Sequence, residues 1–142
     1  IATFPGDMPV ALAALDAEIC IDGPNGARTL PAAGFHRLPG DTPERDTNLE
    51  PGELITSVAL PAPTGGRQIY RKVRDRRSFA FALVSVAADV VMDGGTIRQA
   101  RVALGGVAAR PWMLPEAQAL LGKSVGDEVD VKREAAEIVG ID

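Results

Sequence analysis

Cysteine and histidine are almost missing from this chain of 142 residues, which holds one of each, Cys20 and His36. An intrachain disulfide is excluded, and no zinc or iron–sulfur site can be assembled at the usual ligand spacings. Cys20 sits in the apolar stretch 17–21 and reads as a small buried hydrophobe. His36 has no Ser, Cys or carboxylate at a motif spacing and reads as a loop residue. Aromatic residues make up 4%, so the core must be built from Ala, Val, Leu and Ile, and a broad aromatic binding face is excluded. No apolar run approaches the roughly 20 residues needed to span a bilayer, and the first residues carry no basic n-region of a secretory signal. The motifs G-x-G-x-x-G, Walker A, H-E-x-x-H and G-x-S-x-G are all absent. A net charge of −4 argues against a nucleic-acid binder, which would carry a basic face.

What is present is a chain with 46% hydrophobic and 24% charged residues, values of a folded globular domain. Asp7 is suited to cap a first helix, with Pro9 in its first turn and Met8, Ala11, Leu12 and Leu15 forming an apolar face. Residues 17–22 and 27–30 read as a hairpin around Gly23-Pro24-Asn25-Gly26. Residues 31–52 are rich in Pro and Gly and read as a loop with one helical turn near Ala32–Phe35. Glu53 to Leu60 is a strand, closed by Pro61-Ala62-Pro63-Thr64-Gly65-Gly66, the best linker in the chain. Gln68 to Arg74 reads as a strand, and 78–83 as either strand or helix. Val84 to Met92 and Thr96 to Leu104 alternate around an Asp93-Gly94-Gly95 turn. Helices are expected after Pro115, ending at Gly122, and from Asp130 through Val139. Strands followed by helices predict an α+β fold, an antiparallel sheet covered by helices on one face.

The glycine pairs 65/66, 94/95 and 105/106 read as a linker, a hairpin and a strand end. None precedes a capped helix in a βαβ unit, so the chain shows no phosphate cradle of its own. The densest charge cluster is Arg71-Lys72-Val73-Arg74-Asp75-Arg76-Arg77, headed by the only tyrosine, Tyr70. It is either a solvated strand end or a cationic patch beside an aromatic, able to stack on a flat ring and to place a donor nearby.

Four stretches carry a resemblance. Residues 4–15, FPGDMPVALAAL, resemble the P-S-D-x-x-x-A-L-x-A-L segment of the FAD-binding subunit of molybdenum hydroxylases, the xanthine dehydrogenase and carbon monoxide dehydrogenase family. Residues 50–55, EPGELI, resemble its x-P-x-E-L-I/L strand. Residues 70–82, YRKVRDRRSFAFA, look like the opening of its C-terminal domain, and 103–108 with Arg110-Pro111 look like a later strand and turn there. The order is that of the family, and the match runs through essentially the whole chain.

The resemblance implies a fold and a role. Residues 1–61 would be the C-terminal part of the FAD-binding domain (its second lobe), 62–66 a linker, and 67–142 the small α+β domain of the flavoprotein. FAD would pass electrons from iron–sulfur clusters to NAD, oxygen or another acceptor. The partners implied are a molybdopterin-binding large subunit and an iron–sulfur small subunit, in the cytoplasm or alternatively the periplasm, with no nucleic acid and no membrane. Cofactor contacts are implied at Asp7, which serves equally well as an N-cap, at Leu54 and Ile55 beside the isoalloxazine, at Tyr70 over the ring, and at Lys72 or its neighbour Arg71 at the ring's polar edge. A one-residue slip between 71 and 72 would reverse the face. The family's Gly-rich lobe falls upstream of Ile1, a position that is often His before the Pro is Phe4, and the final helix looks cut. The chain alone is therefore expected to bind FAD weakly or not at all. The competing readings are a flavin-free scaffold that docks partner subunits and a nucleic-acid contact through residues 71–77.

Overall fold

The computed structural model describes residues 3–124, 126 and 127. The helix expected from Asp130 lies outside the described residues. Two antiparallel sheets organise the rest. The first has the order β2–β1–β3, with β1 Glu18–Asp22, β2 Arg28–Pro31 and β3 Leu54–Ala59. The second is a meander, β4–β5–β6–β7, made of Arg67–Val73, Val84–Asp93, Thr96–Gly105 and Trp112–Met113. This is the α+β arrangement expected from the sequence. The β5–β6 hairpin turns at Gly94 and Gly95, whose φ values of +55° and +90° are readily adopted only by glycine.

Helix α1, Asp7–Ala14, belongs by sequence to the first sixty residues but packs on β5 and β6 of the second sheet. Its buried residues are Val10, Ala13 and Ala14, which meet Ala87 and Ala103. This corrects the expected face: Met8 is exposed, and Leu12 packs instead against a second cluster of Ala17, Ile19, Ile21, Ala32 and Phe35. The helix is apolar on more than one side because it lies between two cores. Small residues at the helix–sheet contact bring the backbones close. A Cβ on Gly105 would overlap the Ser85 hydroxyl and come within 2.7 Å of Val10 Cγ2.

The end of α1 is closed by β6. Arg101 Nε donates to the Ala14 carbonyl at 3.1 Å, and its Nη2 donates to Asp16 Oδ1 at 2.6 Å. Asp16 stands at φ +59°, a left-handed position that Asp tolerates better than most residues. Removing this guanidinium orphans a helix-end carbonyl. Arg101→Leu is expected to lower stability by about 1 kcal/mol, measurable by urea denaturation.

Two local expectations are corrected. The stretch 78–83 is neither strand nor helix; at its end, a Cβ on Gly106, which has φ +79°, would come within 2.7 Å of the Leu83 carbonyl oxygen. The segment after Pro115 is a 3₁₀ helix, Pro115–Leu120, rather than an α-helix. His36 follows a single helical turn, α2 Ala32–Phe35, and its ring is held between Phe4 (centroids 4.4 Å apart) and Phe35 (5.1 Å). Burial keeps its imidazole below the ordinary pKa, a nearby Asp46 opposing weakly. Finally, the 61–66 stretch is tied down: Thr64 Oγ1 donates to the buried carboxylate of Asp89 at 3.1 Å, and the Gly66 N–H donates back to Thr64 Oγ1 at 3.1 Å.

Candidate functional site

Asp7 opens α1, yet the N-cap position is Gly6 and no side chain caps the helix. The Asp7 carboxylate is engaged elsewhere. Lys72 Nζ donates to Oδ2 at 2.6 Å and Tyr70 Oη donates to Oδ1 at 2.8 Å. The plain N-cap role expected for Asp7 is thus replaced by a three-residue polar cluster that joins α1 to β4. The packing of α1 on the second sheet makes this possible, because it sets the first turn of the helix over the edge strand.

Strand alternation decides which β4 residues can reach. Tyr70 stands opposite Ala87 and Lys72 opposite Ser85, on the face that carries α1, whereas Arg71 stands opposite Val86 and faces the other way. Lys72 therefore meets Asp7, and Arg71 does not. The ion pair holds the Asp7 carboxyl below its ordinary range: the Lys72 hydrogen bond contributes most, desolvation opposes it, and the Tyr70 hydroxyl adds to the lowering. Tyr70 is pushed up, chiefly by burial, with the Asp7 charge adding.

A cleft of about 390 Å³ lies beside this cluster, with Pro5, Gly6, Asp7 and Lys72 on one side and Phe79, Ala80 and Phe81 on the other. Phe79 is 96% exposed and Phe81 74%. Phe79 has φ +49°, a strained conformation for a bulky residue. The Arg76 guanidinium holds it there by donating to the Phe79 carbonyl, from Nε at 3.1 Å and also from Nη2. Neither ring is among the cofactor contacts expected from the sequence. The available signal was their place in the 70–82 stretch that carries the resemblance.

Leu54 and Ile55 are not part of this cleft lining. They begin β3 on the other sheet, where they are 73% and 48% exposed. Glu53, the residue before them, forms a separate ion pair with Arg28, which holds the Glu53 carboxyl down at about 2. Among the described residues no cluster of His, Cys, Asp or Glu could hold a metal ion, and no helix is long and apolar enough to cross a membrane.

Both lowered carboxylates carry a pH signature. A group with a depressed folded-state pKa stabilises the fold above its unfolded value, and that stability disappears as the pH falls. Stability is expected to drop from about pH 4.5 toward 2, and Asp7→Asn and Glu53→Gln should each flatten part of that acid limb in chemical denaturation series. A limb of unchanged steepness in both variants would show that neither pair is formed in solution.

Residues 1–63 match the FAD binding domain in molybdopterin dehydrogenase, and residues 68–139 match the CO dehydrogenase flavoprotein C-terminal domain. The chain belongs to the family of molybdenum hydroxylase flavoproteins. It is 53% identical over 124 residues to the aldehyde oxidoreductase FAD-binding subunit PaoB of Escherichia coli (strain K12), covering 87% of this chain and 38% of that one. It is 34% identical over 128 residues to the carbon monoxide dehydrogenase medium chain of Afipia carboxidovorans, covering 89% and 41%. Among solved structures, the carbon monoxide dehydrogenase of Hydrogenophaga pseudoflava superposes with a TM-score of 0.74 at 32% identity, over 84% of this chain and 40% of that one. The chain spans about two fifths of the length of these relatives.

Proposed function

We propose that this chain supplies one wall of the FAD site in the flavin-carrying subunit of a molybdenum hydroxylase. The observation that carries the reading is the Asp7–Lys72–Tyr70 cluster at the edge of a cleft faced by two exposed phenyl rings. The residues fit the flat isoalloxazine end of a flavin, which gains negative charge on reduction. An aromatic ring packs favourably against another flat ring, and an ammonium with three donors keeps donors to spare after its one bond to Asp7. The cleft falls in the size range of small-molecule pockets, so it suits the ring portion of FAD and not the whole dinucleotide. Among the described residues no glycine-rich loop leads into a helix as a phosphate cradle, and the pyrophosphate is assigned to chain outside these residues.

Bound FAD would supply the electron relay between iron–sulfur clusters and a soluble acceptor. This chain's own groups would bind and tune. Lys72 would face the ring edge with its positive charge, Asp7 would hold that ammonium in place, and Tyr70 would fix the carboxylate. Phe79 and Phe81 would keep water from the ring. Leu54 and Ile55 would form a second, apolar edge from β3. Arg71, on the opposite face, has no part in this assignment. Residues 1–61 are taken as the end of the FAD-binding domain and 67–142 as the C-terminal domain, joined through 62–66. The partners would be a molybdopterin-binding large subunit and an iron–sulfur small subunit, in the cytoplasm.

A second reading is a flavin-free module that only docks those partners. The two differ in one measurement. In the first, the complete subunit retains FAD and the isolated 142-residue chain retains well under one equivalent after gel filtration, read from the flavin absorbance band. A complete subunit that assembles colourless with its partners would select the second reading.

A further inference from the structure

We infer that Arg28 and Glu53 form a positioning clamp for the edge of the flavin site that β3 contributes; the inference rests on the FAD reading above. The Glu53 side chain is 8% exposed and its carboxylate accepts three hydrogen bonds. Arg28 Nε reaches Oε1 at 2.6 Å, Arg28 Nη2 reaches Oε2 at 2.7 Å, and the Glu50 backbone N–H reaches Oε2 at 2.7 Å. Arg28 Nη2 also donates to the Asn48 carbonyl at 2.8 Å. One guanidinium at the start of β2 therefore holds both ends of the 48–53 turn that feeds β3. A two-point Arg–carboxylate contact fixes direction as well as distance.

The packing around the clamp leaves no slack. A Cβ on Gly23 would come within 2.7 Å of Glu53 Cγ, and one on Gly52, at φ +85°, within 3.0 Å of the Pro24 ring. The β1–β2 turn and the 48–53 turn are thus pressed together along the ion pair.

The strand ladder is interrupted beside Leu54 and Ile55. The pairing of β1 with β3 shifts register between Cys20 and Ile21, so that Cys20 faces Ser57 but Ile21 faces Ile55, leaving Thr56 as the extra residue. A bulge re-aims the residues beyond it and weakens the ladder locally. Leu54 and Ile55 lie beyond that bulge and are largely exposed, so little side-chain burial holds them. The clamp next to them in sequence sets their backbone direction. Glu53 touches nothing in the cleft itself and acts through its neighbours.

The test uses the FAD-loaded complete subunit with the variants Glu53→Gln, Arg28→Lys and Lys72→Met, reading FAD dissociation constant, visible-band shape and midpoint potential beside the melting temperature. Glu53→Gln is expected to weaken FAD binding about tenfold and to change the band shape. Arg28→Lys keeps the charge and loses the two-point grip, so a smaller change in the same direction is expected, and it carries the test if Glu53→Gln does not fold. A melting temperature that falls while affinity, band and potential stay at wild-type values would overturn the clamp as a positioning device. Lys72→Met separates the two levels. If it moves the potential while the clamp variants leave the flavin untouched, the clamp inference fails and the FAD reading stands; if none of the three disturbs the flavin, both fail.

Discussion

Neutralising the charge at Lys72, by Lys72→Met, is expected to move the midpoint potential of the bound flavin about 30–60 mV negative. Two unit charges 4 Å apart interact by about 4 kcal/mol at the effective dielectric of a protein surface. The Lys72 side chain is 20% exposed and shares its charge with Asp7, so roughly a third to two thirds of that, about 1.4–2.8 kcal/mol, is a reasonable share to reach the ring. For a two-electron couple, 1.4 kcal/mol corresponds to about 30 mV. The direction follows from charge, since reduction places negative charge on the ring and the substitution removes its cation. The opposite sign is expected from Asp7→Asn, which frees the ammonium of its counter-charge and should move the potential positive. Opposite shifts from the two partners of one ion pair are difficult to obtain from general destabilisation. Potentiometric titration of a folded Lys72→Met subunit with an unchanged potential would remove Lys72 from the ring edge.

Filling the notch between α1 and the second sheet should have the largest effect on stability. Gly105→Ala places a methyl group against the Ser85 hydroxyl and 2.7 Å from Val10 Cγ2. Ser85 and Val10 are themselves buried and have little space to retreat. Overpacking of this kind costs about 1–3 kcal/mol, and Gly105→Val should exceed that range. The second effect is on the site: lifting the N-terminal half of α1 off the sheet draws Asp7 away from Lys72, so flavin affinity should fall together with the melting temperature. Adding Ser85→Gly to Gly105→Ala restores space and should recover part of both. A melting curve of Gly105→Ala that overlays the wild type would contradict the close contact between helix and sheet.

The strands were legible in the sequence because alternation survives without tertiary help. Val84–Met92 and Thr96–Leu104 showed their faces and their Gly94-Gly95 turn directly, and the structure moves those ends by a residue at most. The face of α1 was not legible. Alanine contributes little to a hydrophobic pattern, so Ala13 and Ala14 looked weaker than Met8 and Leu15, although the small residues set the approach to the sheet. The two-residue strand β7, Trp112–Met113, is too short to have a period at all. At the site, the nearness of Tyr70 and Lys72 was readable from their spacing, as i and i+2 on a strand. Their bonds to Asp7 bridge more than sixty residues of sequence and came to light only through the fold. Phe79 was hidden because its exposure depends on a strained backbone angle, which no residue pattern announces.

The tie between Thr64 and Asp89 fastens the 61–66 stretch to the second sheet. A proline–glycine stretch ordinarily behaves as a swivel, open to proteases and free to let its flanking units tumble apart. Here the hydroxyl-to-carboxylate latch and the snug seat of Gly66, whose α-carbon leaves no room for a side chain beside the Val90 carbonyl, turn that swivel into a weld. Digestion under native conditions should spare this stretch, and Thr64→Val should make it the first place cut. The wall bearing Asp7, Tyr70 and Lys72 and the edge bearing Leu54 and Ile55 would then keep a fixed spacing, as two plates bolted to one frame.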